Sequence, residues 1–463
     1  MISCVASVPR ASLAEKPLRF ELSRVEVEEL ALAHGEEEDS DGFEDDDGDD
    51  APVAPEAAPA RGSLHIPGFP ANLQFGEDDD SDDELVGGVN AFDGFHETDM
   101  NDEDDDEGSD VDDNDLKPTD SVFLTACTDD DFSSVEMHVF DEETQNLYVH
   151  HDISLPAFPL ALEWLRLADG ATKALGGSFV AVGSFEPAIE IWNLDVLDVL
   201  EPSLVLGGFE KPSKAALAAA KGHGKKKKGK RLPKSELKAG SHSDAVLALS
   251  WNRVRGDCLA SASADKTVKI WDLATEKAVQ TLAHHSAKVA CVAWHPVEAA
   301  ALASASHDKT LAVKDVRAPL AGNAFRLTAD VEAMAWNPHR PSQVVASSED
   351  GNVVCFDVRQ PGEPLWLTSP HEAKATTCLA FSRHKGLLAT GSADSSVKLW
   401  NDSGGAAPQL VAQRQMAVGQ IFSVAFDESS PFLLAAGGSK GLLALWDTCE
   451  NAEVEATFNA EAA

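Results

Sequence analysis

Residues 259–272 read LASASADKTVKIWD. Two short runs of small and apolar residues flank an Ala-Asp-Lys-Thr turn, which is the composition of two strands joined by a tight reversal. The runs are apolar or small at successive positions, not alternate ones, so the sheet they predict is covered on both faces. The same sentence returns at 302–315 (LASASHDKTLAVKD), 344–357 (VVASSEDGNVVCFD), 388–401 (LATGSADSSVKLWN) and 434–447 (LAAGGSKGLLALWD). Each copy follows another strand-like run that closes on an aromatic residue, at Trp251, Trp294, Trp336, Phe381 and Phe426. The aromatic positions are spaced by 43, 42, 45 and 45 residues.

A period of roughly 40 to 45 residues, built from short strands and ending in Trp-Asp, is that of a β-propeller blade. The units therefore resemble WD repeats, and the expected fold is all-β. In that family a hydrogen-bonded tetrad of His, Ser, Asp and Trp ties each blade together. The resemblance assigns it here to His242, Ser261 or Ser263, Asp265 and Trp271. Its counterparts elsewhere are His285 and Asp308, Asp350, then His371, Asp394 and Trp400, and Trp446. Lys314 and Phe356 stand where a Trp is expected, Leu327 or a neighbour where a His is, and Lys440 where the turn Asp is, so those units are expected to be softer. Ser, His and Asp recur here as scaffold and not as a catalytic triad, because the turn Asp repeats while no nucleophile motif accompanies it.

Working backward, Trp164 and Trp192 bracket a further unit with Glu186 at its turn. Before it, SVFLTACT, SVEMHVFD and LYVHHDI supply the second to fourth strands of another, with His150 or His151 leading onward. That unit, from 120 to 153, has no first strand of its own. Residues 2–9, ISCVASVP, copy the first-strand run VACVAWHP of 289–296, with Ser7 where Trp294 stands. The octet is therefore predicted to complete the first blade of a seven-bladed ring. The domain reading is a strand at 1–9, a disordered acidic linker at 10–117, a propeller at 118–460 and a disordered lysine-rich insertion at 205–241.

Charge is distributed unevenly along the 463 residues. Of the net -42, residues 35–115 contribute -31, with 32 Asp or Glu and the single base Arg61. Too few apolar residues accompany these charges to offset the entropy of ordering. The segment is expected to attract basic clients, and Ser81 and Ser109, each with an acid three residues on, are candidate phosphosites. Residues 211–238 carry +10. Lys225, Lys226, Lys227, Lys228, Lys230, Arg231 and Lys234 are expected to form a nuclear localisation signal or a salt-sensitive, nonspecific RNA-phosphate contact. Gly224 to Lys230 match GxxxxGK, but Arg231 occupies the place of the magnesium-binding hydroxyl, so no nucleotide site is read there. The seven cysteines form no CxxC pair, and no apolar run approaches the ~18 residues of a membrane span, which points to a soluble intracellular protein. No cofactor, metal site or small-molecule substrate is expected.

Taken in order, the first strand, the acidic linker, EMHVFDEETQNLYVHHDI, IEIWNLDVLDVLEPSLVLG, the lysine insert, HSDAVLALSWN and LASASADKTVKIWD resemble the periodic tryptophan protein 1 family over nearly the whole chain. That resemblance implies a nuclear and nucleolar scaffold in ribosome biogenesis, working on ribosomal RNA transcription or precursor processing by binding pre-ribosomal or chromatin factors. Two other classes compete. Asp315-Val316-Arg317 and Asp357-Val358-Arg359, 42 residues apart, resemble the adaptor-contact motif of cullin-ligase substrate receptors, with Arg317 and Arg359 as the contacts. An acidic histone or ribosomal-protein chaperone would need residues 36–115 for binding, which a truncation tests.

Overall fold

The computed structural model describes residues 1–10, 12–19, 116–130, 132–167, 177–210, 236–318, 322–360, 362–371, 374–404 and 407–458. All belong to one compact unit, Met1–Glu21 with Glu107–Ala463; a second unit, Leu22–Asp106, lies outside the described residues. So do the candidate phosphosites Ser81 and Ser109 and the basic cluster Lys225–Lys234.

Among the described strands, seven sheets are arranged as the blades of a propeller, and an eighth is a two-stranded pair. Blade 1 contains Ile2–Val8, Ser121–Asp129, Phe132–Asp141 and Asn146–Leu155. Blade 2 contains Pro159–Leu167, Gly177–Ser184, Ala188–Asn193 and Leu204–Gly207. Blades 3 to 6 begin at Val246, Val289, Val331 and Thr376, and each also has four antiparallel strands. Blade 7 has three, Ile421–Phe426, Leu433–Gly438 and Leu443–Asp447, followed by the helix Ala452–Phe458.

The second strand of each blade explains why the repeat is apolar at every position. In Cys258–Ser263, Leu387–Ser392 and Leu433–Gly438 all six residues are buried, since blades press on both faces of this strand. Each inner strand packs against the inner strands of the blades on either side, and the cycle closes between Ile421–Phe426 and Ile2–Val8. All seven inner strands shift register near their start, at Ile2/Cys4, Pro159/Ala161, Val246/Ala248, Val289/Cys291, Val331/Ala333, Thr376/Cys378 and Ile421/Ser423. A bulge adds twist and bend. Its repetition in every blade is the local device that wraps flat hairpins around a channel.

The octet lies where the repeat comparison put it: Val5 pairs with Thr125 and Val8 with Val122, antiparallel to Ser121–Asp129. Ile2, Val5 and Val8 are buried. Gly437 of blade 7 makes room for it, since a Cβ there would stand 2.5 Å from Ile2 Cγ2 and 2.8 Å from Val5 Cγ2. Hydrogen bonds fasten the strand to both sides. Ser3 Oγ donates to the Pro159 carbonyl of blade 2 (2.8 Å), the Val5 amide to Ser423 Oγ of blade 7 (3.1 Å) and Ser7 Oγ to Asp427 Oδ1 (3.0 Å). Arg10 extends the clasp to Glu142 of blade 1 and Ser430 of blade 7.

Two boundaries differ from the sequence reading. Leu18–Arg19, placed in the linker, pairs in parallel with Val196–Leu197. Leu204–Gly207, which runs into the 205–241 stretch, is the outer strand of blade 2, and Phe209 bridges Leu237, so both ends of that stretch are ordered. His150 and His151 lie inside the strand Asn146–Leu155, where the run LYVHHDI was read as a fourth strand. His151 pairs with Met137 and Val149 with His138, so the register shifts at His150, which stands in a bulge.

Candidate functional site

The tetrads set the rigidity of the frame. In blade 3, Trp271 Nε1 donates to Ser261 Oγ (2.8 Å), which contacts His242 Nε2 (2.7 Å), and His242 Nδ1 contacts Asp265 Oδ2 (2.8 Å). The directions are forced. An indole nitrogen only donates, so Ser261 accepts from Trp271; the Asp265 carboxylate only accepts, so a neutral imidazole carries its proton on Nδ1 and takes the serine hydrogen at Nε2. Burial alone would raise the Asp265 carboxyl, but bonds from His242, Thr267 and the Ser243 amide outweigh it and hold the group well below the usual carboxylate range. Ser261 is thus the tetrad hydroxyl. Ser263 instead accepts from the Asp265 amide and donates to the Asp244 carbonyl.

Blade 6 repeats the full relay through His371, Asp394 and Trp400, with Thr390 as the hydroxyl. Blade 4 keeps His285, Asp308 and Ser304, and Lys314 ends the relay without an indole. Two candidate members are corrected. Among the described residues no imidazole bonds Asp350: it accepts from Thr328 and Ser348 (2.6 Å each), with Leu327 and Ala346 at the other relay positions. Trp446 belongs to no tetrad, because Ala417, Ala436 and Lys440 occupy the equivalent places; the Arg414 guanidinium instead lies 5.7 Å from its ring centroid. Thr390, Ser304 and the turn hydroxyls Thr267, Thr310 and Ser396 are relay members that the sequence reading missed. Their signal was a hydroxyl at a fixed distance from the turn Asp.

Where the inner strands end, they enclose a cavity of about 390 Å³ lined by Glu163, Trp164, Arg253, Arg383, Asp427 and Glu428, among others. Three of these occupy one repeat position, two residues past the aromatic: Trp251 to Arg253, Phe381 to Arg383, and Phe426 to Glu428. This regularity was visible in the sequence and was missed. Glu428 sits between the two guanidiniums, with Arg253 Nη1 at 2.5 Å and Arg383 Nη2 at 2.6 Å, and both arginines are half exposed. Asp427 is fully buried and accepts from Ser7, Ser121 and the Ser429 and Ser430 amides. Glu163 accepts from the Trp251 amide (3.0 Å). Burial pushes its carboxyl up to about 7, against the pull of Arg253 and that amide and with a further push from Glu428. The mouth therefore combines charged side chains with apolar walls on a rigid ring, a surface suited to docking a macromolecule. Among the described residues no group of His, Cys, Asp and Glu is placed to hold a metal ion.

Arg317 and Arg359 stand at matching positions of blades 4 and 5, with 76% and 70% of each side chain exposed. Each is already engaged by the carboxylate two residues back, Asp315 (2.7 Å) and Asp357 (2.6 Å).

A closed ring of seven blades carrying these tetrads defines a WD-repeat β-propeller, a non-catalytic scaffold fold. The WD domain, G-beta repeat family matches residues 362–401, and the anaphase-promoting complex subunit 4 WD40 domain matches residues 228–297. An uncharacterized WD repeat-containing protein of Schizosaccharomyces pombe is 36% identical over 99% of this chain and 91% of its own length. Periodic tryptophan protein 1 of Saccharomyces cerevisiae is 28% identical over 74% of the chain and 66% of its own length, and the Drosophila melanogaster homolog 27% over 73% and 69%. The chain belongs to the periodic tryptophan protein 1 family. A chain in the crystal structure of the mitotic checkpoint complex shares the fold, with a TM-score of 0.52 and 16% identity over 70% of this chain and 83% of its own.

Proposed function

We propose that this chain is a non-enzymatic nuclear and nucleolar scaffold for ribosome biogenesis, holding pre-ribosomal or chromatin proteins during transcription or processing of ribosomal RNA. The observation that carries this is the likeness to periodic tryptophan protein 1 relatives over nearly three-quarters of the chain. The mouth formed by Arg253, Arg383 and Glu428 supplies a docking surface, and the basic cluster Lys225–Lys234 an address or a phosphate contact. Affinity purification of the full chain from nuclei, with and without nuclease, tests it. Pre-ribosomal particles should be recovered in both arms if proteins hold the complex, and only without nuclease if RNA does. Recovery of no pre-ribosomal or chromatin protein in either arm would sink the proposal.

The ligase reading keeps one supporting observation, the matched exposure of Arg317 and Arg359. Copurification with a cullin adaptor, lost on changing both arginines to alanine, would favour it.

A further inference from the structure

Blade 7 ends one strand short. Six blades place a fourth strand outside the third, whereas the outer edge of Leu443–Asp447 has no strand beside it among the described residues. After Asp447 the chain turns through Thr448–Glu450 into Ala452–Phe458. That helix packs against Gln409–Gln415 of blade 6, burying Val454 and Phe458 there.

The vacancy is visible in the side chains. Val268, Leu311, Val353 and Val397, which match Leu443, are all fully buried; of the matches of Leu445, Ile270, Cys355 and Leu399 are buried and Val313 is half-buried. Leu443 and Leu445 themselves are only half-buried, and the adjoining Leu442 is 57% exposed. The open hydrogen-bonding groups can be named. The Thr448 amide donates to the Phe432 carbonyl (2.9 Å). The two-residue period then turns Ala444 and Trp446 toward the neighbouring strand, and the amides of Leu443, Leu445 and Asp447 outward.

The sister blades show what fits. A buried apolar residue of the fourth strand stands opposite the third: Leu282 against Val268, Phe325 against Leu311, Trp366 against Cys355, Ala412 against Leu399. Lys277 stands opposite Asp272, the counterpart of Asp447. Asp447 is exposed, and Glu450 and Glu453, both exposed, follow it in the chain.

We propose that blade 7 is completed in trans by an extended segment of a partner protein, antiparallel to Leu443–Asp447. It carries a basic residue opposite Asp447 and one bulky apolar residue opposite Leu443 or Leu445. Strand addition of this kind draws affinity from main-chain hydrogen bonds and specificity from alternate side chains. It also covers an edge that nothing in its own sequence protects, since LLALW contains neither charge nor proline.

Hydrogen exchange on the full chain tests this. Without partner, the amides of Leu443, Leu445 and Asp447 should exchange at least about tenfold faster than those of Ala444, Trp446 and Thr448. Equal protection of all six would mean that a segment of this chain already fills the edge, which overturns the proposal. The probe is a synthetic peptide TEKAVQTLAH, residues 275–284, which fills the corresponding place in blade 3. It should slow the three outward amides, and a version with glutamate for its lysine should bind less tightly. Leu443→Pro, which removes one outward N–H and no inward one, should weaken peptide binding by about tenfold or more. Leu443→Lys is the second variant, in case proline disturbs the strand. Unchanged exchange of the three amides with peptide at millimolar concentration, or full binding by both variants, would overturn the proposal.

Discussion

Replacing Glu163 by Gln isolates one proton. The carboxyl lies on the channel wall in the inner strand of blade 2, accepts from the Trp251 amide, and faces Arg253 and Glu428. Burial is the largest influence, and it moves the group from 4.5 to about 7. Between those values the folded chain holds a proton that the unfolded chain has released, so stability falls as pH rises through this window. Below it, both states are protonated and the site contributes no pH dependence. The window spans about 2.5 units at about 1.4 kcal/mol each, which sets a ceiling near 3 kcal/mol; water in the channel lowers this to about 1–3 kcal/mol. A glutamine keeps the acceptor for the Trp251 amide and never ionises. Glu163→Gln should therefore raise the midpoint of thermal unfolding by about 2–4 °C at pH 8 and leave it nearly unchanged at pH 4.5. Paired melts of the two proteins at both pH values decide the matter. Other titrating groups, including Glu332, which burial also pushes up to about 7, cancel in the difference. An equal shift at both pH values, or a lower midpoint for the variant at pH 8, would refute the burial argument.

Ser261→Ala should orphan the Trp271 indole N–H and the His242 Nε2, destabilising the fold by about 2–4 kcal/mol in denaturant unfolding; a loss under about 0.5 kcal/mol would deny the relay any stabilising part. Deleting residues 1–9 removes Ile2, Val5 and Val8 from the core, about 5–9 kcal/mol of burial against a total stability of about 5–15 kcal/mol. The shortened chain should show no cooperative melt, and a native-like transition would mean that the clasp is dispensable. Changing Lys225–Lys228 and Lys230 to Gln should shift the protein from nucleus to cytoplasm under the microscope; unchanged localisation would remove the signal from this cluster.

The repeat was legible because its physics is local. Each turn needs its Asp, each buried second strand its run of small residues, and each inner strand its terminal aromatic, so the period survives even where Lys314 or Phe356 breaks the relay. The octet was readable by the same rule, as a copy of Val289–Trp294 without its aromatic. Relay members such as Thr390 went unseen because serine and threonine are equivalent only through the hydroxyl, which a residue-by-residue comparison does not weigh. Trp446 was misjudged for the converse reason: the residue type persisted after its partners had gone. Glu163 was the hardest to place. A carboxylate in LALEWL looks like an ordinary solvent-facing position until the ring turns that position toward the channel.

The clasp between Ile2–Val8 and Ile421–Phe426 also fixes an order of events during synthesis. The two strands are separated by more than 400 residues, and at elongation rates of about 5–20 residues per second the first waits roughly 20–80 s for the second to be made. Pairing with Ser121–Asp129 comes sooner, but one face of the nascent sheet stays uncovered until the seventh blade leaves the ribosome. A cell making this chain must shield Ile2, Val5 and Val8 throughout that interval, so chaperone supply and translation speed, as well as sequence, govern how much closed ring it obtains.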